Sequence, residues 1–397
     1  MSAFSFDQAR ECVLNTVRAS HPAPPAETVT LETAAGRVLA EPLAADRDYP
    51  AVARSVRDGF AVRSADLPGT LDVIGEVRAG DSFSREIRTG QAVEIMTGAP
   101  VPRGADAVVM IEYVRREGSC VIIEQGAAAG QFINPRGSEA RAGEILLHAG
   151  QRLDYTAIAM LAAAGQARVS VYGKPRVAIL ATGDEIVPVN AVPRDFEIRN
   201  SNVYSLAAQV TRAGGAPEML PVARDEVDHT RELIERGLAS DLLLLSGGVS
   251  AGKYDIVERV LADLGAQFFF DRVLIQPGQP LVFGKARGKF FFGLPGNPSS
   301  TMVTFEIFAR AAMELSGGQD EISLEMPSAR LTQDFRHKTG LTRFLPARLS
   351  ADGGDVTPVR WQGSSDVPAM TRANAYMVVD ADRAEWRAGD WMRVLRK

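Results

Sequence analysis

Between residues 174 and 316, short apolar runs take turns with amphipathic helical stretches. No other feature narrows the fold of this chain as much. The pattern predicts strands over 176–181, 241–245, 281–283 and 289–292, and helices over 202–212, 227–237, 254–264 and 299–315. Strands that alternate with helices build βαβ units, and the resulting parallel sheet is covered on both faces. In such open sheets, ligands bind in the crevice at the carboxyl ends of the strands. The polar motifs fall at those ends. Thr182-Gly183-Asp184-Glu185 follows the first strand, and Ser246-Gly247-Gly248-Val249-Ser250-Ala251-Gly252 follows the apolar strand. Gly293-Leu294-Pro295-Gly296-Asn297-Pro298-Ser299 leads from the last strand into the final helix, and Asn200-Ser201-Asn202 precedes another helix start.

Each motif has two readings. The glycines of the 246–252 loop let the backbone approach a phosphate, and the helix that follows aims its N–H groups at it. Alternatively, they shape a tight turn and Asp255 complements the helix dipole. Three glycines with two hydroxyls favour the phosphate, although no Gly-Lys-Ser/Thr ends the loop as in a P-loop. Asp184 and Glu185 are adjacent acids at a strand end, suited either to Mg²⁺ beside a phosphate or to solvation and capping. Asn297-Pro298 suits a helix N-cap followed by the first helical position. Phe268–Phe270 and Phe290–Phe292 read as sheet core rather than a stacking platform.

The rest of the chain differs in character. A helical face over 5–20 is broken at 21–25. From 46 to 142 short β-rich runs separated by Gly and Pro read as a small β domain inserted into the first module, and 154–164 as a helix returning to that module. Within it, Asp58-Gly59 alone is a turn signal. The tail after 322 returns to short β runs. A net charge of −5, from 44 basic and 49 acidic residues, argues against a general nucleic-acid binder. Cys12 and Cys120 alone make no disulfide framework, and the 4 His are scattered without zinc spacing. The absence of a signal-peptide pattern and of a spanning apolar stretch leads to the expectation of a cytoplasmic protein without membrane association.

Eight motifs occur in one order: Ser55-x-x-Asp58-Gly59-Phe60-Ala61; Thr97-Gly98-Ala99-Pro100; Asp106-Ala107-Val108-Val109-Met110-x-Glu112; Ala181-Thr182-Gly183-Asp184-Glu185; Ile198-Arg199-Asn200-Ser201-Asn202; Ser246-Gly247-Gly248-Val249-Ser250-x-Gly252-x-x-Asp255; Pro277-Gly278-x-Pro280; and Gly293-Leu294-Pro295-Gly296-Asn297-Pro298. Together they resemble the molybdopterin molybdenumtransferase (MoeA-like) family, related to the C-terminal domain of gephyrin, over nearly the whole chain. The resemblance implies an α/β multidomain protein. Its parts would be a doubly wound molybdopterin-binding domain (174–320), an inserted β-rich lid (46–142), a helical/β linker and dimerisation module (1–45 with 143–173) and a C-terminal β domain (321–397). It implies a homodimer in which the lid of one chain covers the site of the other. The implied reaction moves molybdenum from molybdate onto the dithiolene of adenylylated molybdopterin with Mg²⁺, releasing AMP and molybdenum cofactor. Molybdopterin adenylyltransferase and apo-molybdoenzymes are the implied partners.

By the same resemblance, Asp58, Asp184, Glu185 and Asp255 are the catalytic acids, and Asp184, Glu185 and Asp225 the Mg²⁺ ligands. Substrate would be held by Thr97 in the lid, by Thr182, Gly183, Asn200, Ser201 and Asn202, and by Ser246, Gly247, Gly248, Ser250 and Gly252. Gln276 and Gln279, the run Pro295, Gly296, Asn297, Pro298 and Ser299, and Ser364 complete that set. Four changes depart from the family pattern. Gln276 and Gln279 stand where the family often has lysines, and Pro346 falls near a family Arg, flanked by Arg343 and Arg348. Gly137-Ser138-Glu139 replaces Gly-Glu-Asp, and Arg57 replaces a small or apolar residue before Asp58. Glutamine donates hydrogen bonds but brings no charge; Arg57, Arg136 and Arg199 are candidates to restore it. The rival readings are a diverged paralogue that binds pterin-nucleotide or another oxyanion such as tungstate, a non-enzymatic scaffold, and adenylyl transfer to molybdopterin.

Overall fold

The computed structural model describes residues 3–20, 24–248 and 256–397. It divides into two compact units: Met1–Ala40 with Gly150–Asp154 and Arg168–Lys397, and Glu41–Ala149 with Tyr155–Ala167.

The first unit is organised by a six-stranded sheet: β1 (Arg176–Ala181), β2 (Ala216–Met219), β3 (Leu242–Ser246), β4 (Gln267–Arg272), β5 (Pro280–Ala286) and β6 (Lys289–Leu294), in the order β2-β1-β3-β6-β5-β4. The first four in that order are mutually parallel. The expected all-parallel sheet is corrected at the other edge, where β5 runs antiparallel to both β6 and β4. The reason is local. Ala286 pairs with Lys289, so only Arg287 and Gly288 connect β5 to β6, and both have positive φ, 49° and 82°. That is hairpin geometry, whereas a parallel return needs a dozen or more residues. Two strands go beyond the predicted set: β2, an edge strand that carries a proline, and β4, which holds Phe268–Phe270.

Strand residues alternate between faces. Val177, Ile179, Leu242, Leu244, Phe290 and Phe292 pack on one face against the N-terminal helix Phe6–Ser20 and α1 (Asn202–Arg212). Ala178, Leu180, Leu243, Leu245 and Phe291 pack on the other, against α2 (Val227–Gly237) and α3 (Ile256–Asp263). The long helix α4 begins at Pro298, passes through a π segment at Phe305–Ala309 and ends at Ser316. Its buried Glu306 accepts from Gln209 at 3.0 Å and pairs with Arg212.

In the C-terminal part, Thr342–Leu349, Asp355–Pro358, Ser328–Leu331, Trp391–Arg396 and Ala375–Val379 pair in that order, and the last pairs back to the first. The result is a closed barrel filled by residues such as Leu331, Leu345, Ala347, Met377 and Val394. The short strand Ile275–Gln276 joins its rim beside Thr342 and Arg343.

The second unit is a six-stranded sheet in the order 107–110, 59–62, 91–95, 69–77, 120–123, 114–117. Phe60, Leu71 and Val109 fill one face, and Ala61, Val93 and Val108 the other. Among the described residues no helix is long and apolar enough to cross a membrane.

Phe292 is fully buried and stacks on Phe283 with ring centroids 4.7 Å apart. Phe292→Ala should destabilise the first unit by about 3–5 kcal/mol, read as an earlier urea midpoint, while the near-native signal of the second unit persists.

Candidate active site at the strand ends

The strand register brings the polar loops together. Ala181 stands opposite Ser246, and Ser246 opposite Leu294, so β1, β3 and β6 end at one level. The ladder runs one residue further: Thr182 N–H donates to the Ser246 carbonyl and Gly247 N–H to the Leu294 carbonyl, both at 3.2 Å. A solvent-open cleft of about 390 Å³ lies there, lined by Thr182, Asn200, Asn202, Ser246, Gly247 and Gly296 among others.

Asn202, at the start of α1, ties the loops to one another. Its Nδ2 donates to Ser246 Oγ at 2.9 Å and to the Gly296 carbonyl at 2.7 Å. Among the described residues its Oδ1 is buried without a partner, as are Thr182 Oγ1 and Ser299 Oγ. A buried polar atom left unpaired costs roughly 1–3 kcal/mol. Two of the three belong to residues that line the cleft, Thr182 and Asn202. Gly247 and Gly248 adopt φ of +92° and +63°, and a Cβ on Gly248 would lie 2.6 Å from Thr182 Oγ1. Only glycine lets this backbone pass so close to the cleft.

The β6–α4 loop keeps its reactive groups free. Asn297 occupies the N-cap position with Pro298 first in the helix, but its exposed side chain makes no capping bond. Thr301 shapes the loop instead, its hydroxyl donating to the carbonyls of Pro295 at 2.5 Å and Asn297 at 3.0 Å. The Ser364 carbonyl accepts from Ser299 N–H at 3.0 Å, which brings the barrel segment to the start of α4. Asn200 Oδ1 accepts from Val203 N–H at 3.3 Å, and Ser201 precedes α1 without a side-chain cap.

Gly183 N–H donates to the Ala223 carbonyl at 3.1 Å, which joins the Asp184 loop to the Asp225 loop. Asp184 Oδ1 accepts from Asp225 N–H at 3.3 Å, and Arg224 Nη1 donates to the Asp184 carbonyl at 3.0 Å. Asp184, Glu185 and Asp225 are all exposed. Among the described residues no three His, Cys, Asp or Glu side chains converge on a point that could hold a metal. Ser250, Gly252 and Asp255 lie outside the described residues.

Asp58 and Thr97 meet in the second unit. Asp58 Oδ1 accepts from Thr97 N–H at 2.6 Å and from Thr97 Oγ1 at 2.8 Å. These bonds, the backbone one foremost, hold the Asp58 carboxyl below the usual carboxylate range. A carboxyl depressed in the folded state adds stability above its unfolded pKa and loses it as pH falls through the folded value.

The two glutamines diverge. Gln276 Oε1 accepts from Arg343 Nε at 2.8 Å, whereas Gln279 offers its carbonyl to Val273 N–H at 3.0 Å. Of the three candidate arginines, Arg136 pairs with Asp48 at 2.6 Å, and Arg199 Nε donates to the Ala191 carbonyl at 2.9 Å. Arg57 lies 6.0 Å over the Phe132 ring. Residues beyond the expected set are Thr301, Arg224 and Arg343. Thr301 carries a readable signal, a hydroxyl four residues after Asn297 that bonds back to its carbonyl. Arg343 was visible only as a flank of Pro346, because strand register is not written in single residues.

Fold and cleft together define a multidomain α/β protein with a glycine-lined, ligand-seeking site at the ends of a central sheet. Known proteins agree. The MoeA N-terminal region (domain I and II) matches residues 4–165, the probable molybdopterin binding domain residues 178–314, and the MoeA C-terminal region (domain IV) residues 328–396. A molybdopterin molybdenumtransferase of Staphylococcus aureus (strain Mu50) is 33% identical over 94% of this chain and 91% of its own length. One of Staphylococcus epidermidis (strain RP62A) is 33% identical over 92% and 90%. The solved moeA protein of Pyrococcus horikoshii OT3 superposes with a TM-score of 0.83 at 27% identity, covering 100% of both chains. A second moeA structure, from Pyrococcus horikosii, gives 0.76 at 30% identity, covering 100% and 99%. The chain belongs to the molybdopterin molybdenumtransferase (MoeA) family.

Gly248→Ala should cost about 1–3 kcal/mol through backbone strain, seen as a lower Tm. Thr97→Val removes the hydroxyl and keeps the N–H, so the Asp58 midpoint in an NMR titration should move part of the way up toward the ordinary value.

Proposed function

We propose that the chain inserts molybdenum from molybdate into adenylylated molybdopterin, releasing AMP and molybdenum cofactor. The observation that carries this reading is the pair of oxygens on Thr182 and Asn202, buried and unpaired among the described residues, in a glycine-lined cleft. Asn202 Oδ1 accepts hydrogen bonds, and the Thr182 hydroxyl can donate as well. A pterin ring and a phosphate chain offer both kinds of partner. Cleavage of the phosphoanhydride takes up one water and leaves AMP and the terminal phosphate of molybdopterin. Exposed Asp58, held ionised by Thr97, suits metal binding or proton handling beside that bond.

The donor chemistry near the cleft fits Mg²⁺. Asp184 and Asp225 are exposed carboxylates on loops joined by the Gly183 N–H to Ala223 carbonyl bond, and Mg²⁺ commonly takes one or two carboxylates with waters and phosphate oxygens. Asp184 and Asp225 would hold the ion with waters, and it would supply charge neutralisation at the phosphoanhydride.

In this reading the molecule works as a homodimer. The β-rich segment 46–142 acts as lid over the partner's cleft, 1–45 with 143–173 as linker and dimerisation module, 174–320 as the molybdopterin-binding domain and 321–397 as the C-terminal domain. It acts in the cytoplasm, receives substrate from molybdopterin adenylyltransferase and delivers cofactor to apo-molybdoenzymes. A second reading, a paralogue that binds pterin-nucleotide or tungstate without efficient insertion, is favoured by the glutamines at 276 and 279.

The test is AMP release by purified protein from adenylylated molybdopterin with Mg²⁺ and a molybdate titration. Molybdate-dependent AMP and active cofactor are expected. Asn202→Ala, which unties the three loops, should lower turnover about tenfold or more. Binding without turnover at high molybdate would move the protein to the paralogue reading.

A further inference from the structure

Glu306 is 4% exposed, lies in the π segment of α4 and does not line the cleft. Single π turns inside α-helices recur at functional sites. The carboxylate accepts from Gln209 Nε2 at 3.0 Å and pairs with Arg212 and with Arg310, the latter at 3.4 Å. The same Nε2 donates to the Met302 carbonyl at 3.1 Å. Both neighbours of Nε2 are acceptors, which fixes the orientation of the amide. Gln209 Oε1 is buried without a partner among the described residues, so α4 aims this side chain through its nitrogen.

A buried ion pair is weak evidence for stability, because apolar residues of similar volume often replace one at no cost. Its best-attested use is to impose one register on the elements that carry it. Here those elements are α1 and α4, and both begin at the cleft. Asn202 opens α1 and donates to the Gly296 carbonyl at 2.7 Å, just before α4, and to Ser246 Oγ at 2.9 Å. Gln209 follows Asn202 by two turns on the same face, about 10 Å along the axis. There it meets Met302 and Glu306. The two helices are thus joined twice, once at the cleft and once behind it. A slide of one residue moves a helix by about 1.5 Å. Such a slide would carry both Asn202 bonds out of hydrogen-bond range.

We propose that Gln209, oriented by Glu306, is a positioning residue for the cleft. It locks the register of α1 against α4 and so holds the Asn202 amide on the Gly296 and Ser246 loops. The inference deepens the insertase reading, on which the predicted loss of turnover rests; the predicted behaviour of Asn202 rests on the geometry alone.

The experiment follows Asn202 and turnover in full-length Gln209→Leu. Leucine removes the donor and leaves Glu306 its two arginines. With isotope-labelled asparagine, the side-chain amide resonance of Asn202 is identified by its loss in Asn202→Ala. In Gln209→Leu it should move toward the position of a free amide, and its exchange with water should quicken. Molybdate-dependent AMP release should fall about threefold or more. The double variant Asn202→Ala/Gln209→Leu should turn over no more slowly than Asn202→Ala, because a residue that acts through Asn202 has nothing left to position. A merely structural role lowers Tm, leaves the Asn202 resonance in place and adds its loss to that of Asn202→Ala. An unmoved resonance in folded Gln209→Leu, or additive losses in the double variant, overturns the inference. If Gln209→Leu does not fold, Gln209→Met, a flexible chain without a donor, is read in the same way. No AMP release by the parent would sink the insertase reading, and the Asn202 resonance would then decide the role of Gln209 by itself.

Discussion

The cleft depends on the pairing of three parallel strands in one register. With Ala181 opposite Ser246 and Ser246 opposite Leu294, the loops after β1, β3 and β6 leave the sheet at the same height. The period of a strand is two, so a slip of one residue would send Leu244 and Leu245 to each other's faces and expose half of the core. The register is therefore secured by apolar residues far from the chemistry. Asn202 then draws on that alignment, because its amide spans Ser246 and Gly296 only when both loops start level.

The same alignment explains why polar atoms can stay unpaired. Thr182 and Ser299 are held through their backbone N–H groups, and Asn202 by its own Nδ2, which leaves its Oδ1 unpaired among the described residues. A rigid site with unsatisfied polar atoms spends little on reorganisation when a ligand binds. Asp58 follows another rule: its partner Thr97 is always present, so its charge is favoured within its own unit.

Much of this was legible in residue order. Helices at 202–212 and 227–237 stand where apolar spacing put them, and the Thr182, Ser246 and Pro295 loops fall at strand ends. The β5–β6 hairpin was not legible as such, because Arg287-Gly288 is a weaker signal than Asn-Gly and only two positive φ values reveal it. Edge strand β2 hid behind its proline. The partnership of Gln276 with Arg343 spans 67 positions and arises from a rim strand that is two residues long. No local pattern announces such a pair.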